Sequence, residues 1–203
     1  FKSLLQHFPQ SDLAPRAYVA IGDAWRSLKN FRRAEEAYTR VLETFPTAPV
    51  VVDALNGLQH CLAQAGRYDE ATRAVEKFLS RYPDHPYAER LLLGRAEFFF
   101  ERKEFDKAAN EYQAFIDRFP LSTFVPDALH GLGWSYRFLN RVGEATRAFS
   151  LLVEGHAQHP LAAEAMLEQG RIHVDQAQYT EALTALERVE TSYPGTSAAQ
   201  EAS

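Results

Sequence analysis

Apolar residues recur along the whole chain at three- and four-residue steps, the spacing of one face of an α-helix. Within residues 105–119, Ala108, Tyr112 and Phe115 belong to one such stripe. A second stripe begins after Pro126, and proline is favoured in the first turn of a helix because it needs no amide donor there. Short polar stretches separate the stripes. The pattern therefore predicts pairs of amphipathic helices joined by tight turns.

The predicted helix pairs repeat every 37 residues. An alanine marks one fixed position in five copies: Ala34, Ala71, Ala108, Ala145 and Ala182. An aromatic residue followed by proline ends most copies, because proline cannot donate the next helical hydrogen bond and clashes with the preceding turn. These pairs are Phe8-Pro9, Phe45-Pro46, Tyr82-Pro83, Phe119-Pro120 and Tyr193-Pro194. The spacing indicates a tandem repeat of one helix-turn-helix unit.

Two positions depart from the repeat. In the fourth copy the proline is Pro160 rather than a residue near Ala157, so we expect three extra residues there and a shorter connection to the next helix. Gln59 stands in a column that otherwise holds small residues twelve positions before each alanine. We expect that column to pack against the alanines, and the second unit to pack differently. The small residues are Gly22, Ala96, Gly133 and Gly170.

The order of small and large residues resembles the tetratricopeptide repeat, as in Gly22, Ala34, Tyr38 and Pro46 of the first copy. The family's usual unit has 34 residues, so the extra residues fall in the loop between repeats. The resemblance implies an all-α fold, an α-solenoid (right-handed superhelix) of about five helix-turn-helix repeats with partial repeats at both ends. The predicted divisions of this single domain are 1–9, 10–46, 47–83, 84–120, 121–160, 161–194 and 195–203.

The longer unit, together with "RYPDHPYAE" and "RFPLSTFVPDA", is similar to repeats of bacterial envelope proteins. Those proteins are the outer-membrane assembly lipoproteins and the periplasmic Tol-Pal coordinator family. This resemblance implies a periplasmic or cell-envelope location, with the cytoplasm as the alternative. The sequence given begins at Phe1 and shows no signal peptide, so the residues themselves leave localisation open.

Composition narrows the class of partner. Hydrophobic residues make up 46% of the chain and charged residues 24%, as in a globular protein with a core. The net charge of -5, with no long Lys/Arg run, gives no reason to expect nucleic acid. No apolar run approaches the roughly 20 residues that span a bilayer. Cys61, the single cysteine, excludes an internal disulfide, and we expect it to be buried and inert.

First helices of such repeats line the concave face, so binding residues are expected there. His130, Trp134 and Arg137 share one helical face, and tryptophan beside arginine is typical of interface anchors. The alternative is that Trp134 only packs against the fifth repeat. For Phe100 the core is favoured, since "FFF" at 98–100 should bury at least two rings. The predicted partner-binding residues are Arg26, Asn56, His60, Arg90, Glu97, Phe100, His130, Trp134, Arg137, Arg171 and Asp175.

The family's carboxylate clamp uses Lys, Asn and Arg of consecutive first helices to grip a terminal carboxylate. At the corresponding positions of this chain only Arg90 could serve. We therefore expect a longer extended or helical partner segment in the groove. The positions are Val19, Asp23, Gly57, Arg90 and Gly94.

No residue pattern predicts catalysis, a metal or a cofactor. His156 and His159 have metal-ligand spacing, but they stand at a helix end without a third ligand. The glycines occupy turns or packing positions, not a phosphate-binding loop. The sequence thus predicts a non-catalytic scaffold that binds a protein or peptide segment. The alternatives are a regulatory or targeting domain of a larger enzyme, and self-association through exposed repeat ends.

Overall fold

The computed structural model describes residues 11–203, which form eleven α-helices and no strand. Phe8-Pro9 and the predicted partial repeat 1–9 lie outside the described residues. The helices are α1 Ala14–Ser27, α2 Phe31–Thr44, α3 Val51–Gln64, α4 Tyr68–Arg81, α5 Ala88–Glu101, α6 Phe105–Arg118, α7 Val125–Phe138, α8 Val142–Gly155, α9 Leu161–Asp175, α10 Tyr179–Ser192 and α11 Ser197–Ala202.

The helices fall into two compact units that divide inside α5, one up to Gly94 and one from Arg95 to Ser203. In the first unit, α1 packs on α2, α2 on α3 and α3 on α4, and the first helices α1 and α3 also touch. In the second unit, α6 through α11 pack in the same sequential way, with α7 on α9 and α9 on α11. The prediction of an all-α fold of tandem helix-turn-helix repeats is confirmed.

Large side chains four positions after each alanine fill the space between neighbouring first helices. Tyr38 is fully buried, and a Cβ atom placed on Gly22 or Gly57 would lie 2.5 or 2.3 Å from its ring. The same holds for Tyr112 against Gly131, at 2.3 Å. Glycines of the first helices therefore make room for these rings. Of these three glycines, Gly22 belongs to the predicted column, and the atoms nearest to a Cβ added there belong to Tyr38, not to Ala34.

Gln59 changes the packing of the second pair, as predicted. Its side chain is 2% exposed, and its Nε2 donates a hydrogen bond to the carbonyl oxygen of Ala71, 3.2 Å away. The amide thus satisfies a buried polar group at the place where other copies hold glycine or alanine.

The first helices α1, α3, α5, α7 and α9 end in the same left-handed turn. Lys29, with φ 57°, donates its N–H to the Arg26 carbonyl, and Asn30 donates to Trp25. These two bonds are those of a Schellman motif, which satisfies the last carbonyls of a helix. The corresponding residues at the 37-residue spacing are Gly66, Lys103, Asn140 and Ala177, all with positive φ.

The connections between helix pairs also repeat without insertion, which corrects the expectation at Pro160. His159 donates its N–H to the His156 carbonyl, as Ser122 does to Phe119. His156 therefore takes the place of the aromatic residue, and Pro160 only precedes α9. The expected gain of three residues is wrong, and the division between 160 and 161 stays a prediction.

The "FFF" stretch of α5 buries fewer rings than expected. Phe99 is 7% exposed, whereas Phe98 and Phe100 are half-buried. The guanidinium of Arg102 lies 5.7 Å from the centre of the Phe98 ring. Only one of the three rings thus belongs to the core, which leaves Phe100 free to line a surface groove.

Candidate protein-interaction site

Helix α7 carries a stripe of partly buried and exposed side chains along one face. Pro126 lies in its first turn, where proline is well tolerated. The negative charge of Asp127, in the same turn, interacts favourably with the positive end of the helix dipole. The chain leaves α7 through the left-handed Asn140. Residues 127, 130, 134 and 138 follow at three- and four-residue steps, so they share one face.

Trp134 and His130 are fixed against each other and against the helix behind them. The indole Nε1 of Trp134 donates a hydrogen bond to His130 Nε2, 3.1 Å away. Because an indole N–H can only donate, His130 Nε2 accepts this hydrogen bond. Glu164 Oε1 lies 3.4 Å from the same nitrogen. Both rings meet Phe149 edge to face, at 6.3 Å for His130 and 6.2 Å for Trp134. Trp134 is half-buried and packs against the hydrophobic core that contains Phe149.

These side chains form one wall of a groove of about 540 Å³ in the second unit. Four predicted residues line it together: Glu97 and Phe100 from α5, and His130 and Trp134 from α7. The other lining residues are Tyr112, Asp127, Gly131, Phe138 and Leu161. The groove is thus built mainly by successive first helices, the surface on which binding was expected.

Aromatic rings make the floor of the groove. Phe138 stacks on Phe105 with 4.5 Å between the ring centres, and Phe100 meets both rings, at 5.9 and 5.4 Å. Trp134 lies 5.8 Å from Phe138. Phe138 nevertheless stays 56% exposed, which is unusual for so large an apolar side chain. The packing holds the rings in place and leaves their outer faces open.

The charged residues of the groove are acidic. Glu97 is half-buried, and the Asp127 side chain is 45% exposed with His159 Nε2 at 4.0 Å. Burial raises the pKa of Tyr112 above its usual range, and the carboxylates of Glu97, Glu101 and Asp127 raise it further. None of the described residues that line the groove is lysine or arginine.

Arg137, Arg171 and Asp175, also predicted to face a partner, are held in ion pairs. Arg137 pairs with Asp175 of the next repeat. Arg171 pairs with Glu201, and its Nη1 donates to Oε1 of the buried Glu168, 2.6 Å away. The Arg137–Asp175 and Arg171–Glu201 pairs connect successive first helices, and none of the three predicted residues lines the groove.

The four remaining predicted residues lie in the first unit. Arg26 Nη2 donates to Asp23 Oδ1 at 3.0 Å, and that oxygen also accepts the Tyr38 hydroxyl at 2.8 Å. Asn56 and His60 are exposed on α3, and the His60 ring lies 6.4 Å from that of Phe31. Arg90 is exposed on α5. The charge of Arg26 is therefore engaged within its own repeat.

Sequence reasoning missed five lining residues: Tyr112, Asp127, Gly131, Phe138 and Leu161. Asp127 and Phe138 could have been found by extending the His130–Trp134 stripe one turn in each direction. Tyr112 gives no such signal, because its position in the repeat predicts a core residue, and its ring is indeed buried.

The described part of the chain offers little other site chemistry. Among residues 11–203, no group of three or more His, Cys, Asp or Glu side chains is placed to hold a metal ion. Cys61 is 1% exposed, which confirms the expected burial. None of the described helices is long and apolar enough to cross a membrane.

A family model for the tetratricopeptide repeat matches residues 19–86, 60–123 and 130–197. The chain belongs to the tetratricopeptide repeat family. Tetratricopeptide repeats generally act as protein-interaction scaffolds, and here they place half-exposed aromatic residues on first helices. No curated protein matches the sequence significantly.

Several solved structures share the fold at low sequence identity. A putative kinesin light chain of Podosopora anserina is 16% identical, with a TM-score of 0.62 over 90% of this chain and 96% of that chain. MamA is 22% identical, with a TM-score of 0.59 over 85% of this chain and 94% of that chain. YrrB, described as a repeat protein with an unusual peptide-binding site, is 18% identical, with a TM-score of 0.58 over 99% and 96%.

Proposed function

We propose that this protein is a non-catalytic interaction scaffold that holds a segment of a partner protein in the groove between α5 and α7. One observation carries the proposal: Glu97, Phe100, His130 and Trp134 line a single open groove. Aromatic side chains fixed by neighbours but open on one face are typical of binding hot spots, because little conformational entropy is lost on contact.

The volume of the groove suits a few side chains of a longer segment. About 540 Å³ falls within the range of small-ligand pockets, but this site is an open trough with a polar rim. An extended segment or one face of a helix could place two or three side chains in it. The other predicted residues, Arg26, Asn56, His60, Arg90, Arg137, Arg171 and Asp175, stay predictions for wider contacts. The setting in a bacterial cell envelope rests on resemblance alone.

Selection of random displayed peptides on the purified chain tests the proposal. We expect selected peptides to lose at least about tenfold in affinity for Phe100→Ala and Trp134→Ala, as hot-spot truncations do. Phe98→Ala is the matched control, because Phe98 is also half-buried on α5 but does not line the groove. Circular dichroism of each variant verifies the fold. Equal affinity of all three variants, or no selectable peptide, would refute the groove as a binding site.

A further inference from the structure

We infer that the groove receives a basic side chain, a lysine or arginine carried by the partner segment. The inference rests on the proposed function and specifies the chemistry of the occupant. Its basis is the combination of two acidic residues and three open aromatic residues, Phe100, Trp134 and Phe138, in one trough.

Charge complementarity selects a cation. Glu97 and Asp127 line the groove, and none of its described lining residues is lysine or arginine. His130 Nε2 accepts the Trp134 hydrogen bond and lies 3.4 Å from Glu164 Oε1, which places a further carboxylate beside the groove. Arg137, one turn beyond Trp134, is paired with Asp175. A carboxylate in the groove would meet like charges, whereas an ammonium or guanidinium group would meet opposite ones.

The aromatic residues favour the same occupant. A cation is attracted to the face of an aromatic ring, most strongly to tryptophan, and a guanidinium plane also stacks on such a face. Phe138 is 56% exposed, and Trp134 lies beside it with 5.8 Å between ring centres. In contrast, the comparable surface of the first repeat already contains a cation: Arg26, which pairs with Asp23. The repeat position that holds Arg26 in the first repeat holds Phe100 in the third and Arg137 in the fourth, because these residues are separated by multiples of 37.

Four peptide pools test the inference, each random except for a fixed central arginine, lysine, glutamine or glutamate. Binding is followed by the fluorescence of Trp134 in a Trp25→Phe background, where it is the one remaining tryptophan. We expect the arginine and lysine pools to bind at least about tenfold more tightly than the glutamate pool, with the glutamine pool between them. The preference should weaken at high salt.

The matched variants separate local charge from net charge. Glu97→Gln with Asp127→Asn removes two charges from the groove and should abolish the preference for basic pools. Glu187→Gln with Glu190→Gln removes two charges from exposed positions of α10 and should leave it unchanged. If glutamine or glutamate pools bind as tightly as basic ones, or if the groove variant keeps the preference, the inference fails while the proposed function stands. If no pool binds, the proposed function fails with it.

Discussion

At the scale of single residues, several glycines of first helices pack against aromatic rings of second helices with no room for a Cβ atom. We expect Gly131→Ala to destabilise the fold by about 1–3 kcal/mol, because its Cβ would lie 2.3 Å from the Tyr112 ring. The ring is buried and held by its neighbours, so it cannot move aside without cost. Urea unfolding followed by circular dichroism measures the change.

Gly143→Ala provides the control for that substitution. Gly143 lies in the first turn of α8, and a Cβ there would meet nothing within 4 Å. Alanine at this position should stabilise the protein by roughly 0.5–1 kcal/mol through helix propensity. A destabilisation of the same size in both variants would show that the Tyr112 contact is not the cause.

Cys61 should contribute to the free energy of unfolding, and this contribution should decrease at alkaline pH. Burial raises the pKa of this thiol from an ordinary value of 9.0 to about 11. The unfolded chain therefore releases the proton first, so the contribution is complete below pH 9 and is lost as the pH rises towards 11. Urea unfolding at several pH values should show a shallower alkaline decline for Cys61→Ala. Tyr38 and Tyr112 titrate in both proteins and cancel in the comparison.

A thiol reagent checks the burial of Cys61 independently. At pH 8 the native protein should react with a chromogenic disulfide far more slowly than the urea-unfolded chain, since thiolate and access are both required. Comparable rates in the two states would contradict the assigned environment.

At the scale of helices and turns, Gly66 is the one glycine among the left-handed residues that end α1, α3, α5, α7 and α9. Ala177 adopts φ 57° there, a conformation that costs an alanine about 1–2 kcal/mol. We expect Ala177→Gly to stabilise the protein by about 0.5–1 kcal/mol, because the strain relieved exceeds the extra entropy of the unfolded chain. The midpoint of thermal unfolding should rise. Gly66→Ala, at the equivalent turn with φ 75°, should lower it by a similar amount.

The sequence predicted the helices well because their two signals are local. Apolar spacing and proline positions mark where each helix lies and where it ends. The turn after α8 was misjudged because the proline served as its marker, whereas the backbone turn depends on the carbonyl of residue 156 and the N–H of residue 159. Pro160 occupies the position of Pro49 and Pro86, not that of Pro120.

At the scale of the whole molecule, the candidate site was predictable only in part. Periodicity identifies the outward face of a first helix, and it therefore found His130 and Trp134. It does not show which charges on successive helices meet, so the pairing of Arg137 with Asp175 and of Arg171 with Glu201 was not foreseen. Whether Phe100 faced the core or a groove depended on how Phe105 and Phe138 pack beside it.

Stability in a repeat protein is approximately a sum of contributions from each repeat and its neighbours, so local damage should have a local effect. Gly131→Ala disturbs α6 and α7, which hold Tyr112 and Gly131. Under native conditions we expect faster hydrogen exchange of the amides of α6 and α7 in this variant, with the amides of α1 and α2 near their original rates. In Gly57→Ala, the amides of α1 and α2 should exchange faster and those of α6 and α7 near their original rates, because the added Cβ would meet Tyr38 of α2. Mass spectrometry of exchanged peptides measures both. Equal acceleration along the whole chain in both variants would mean that the repeats open as one cooperative unit and that their energies are not local.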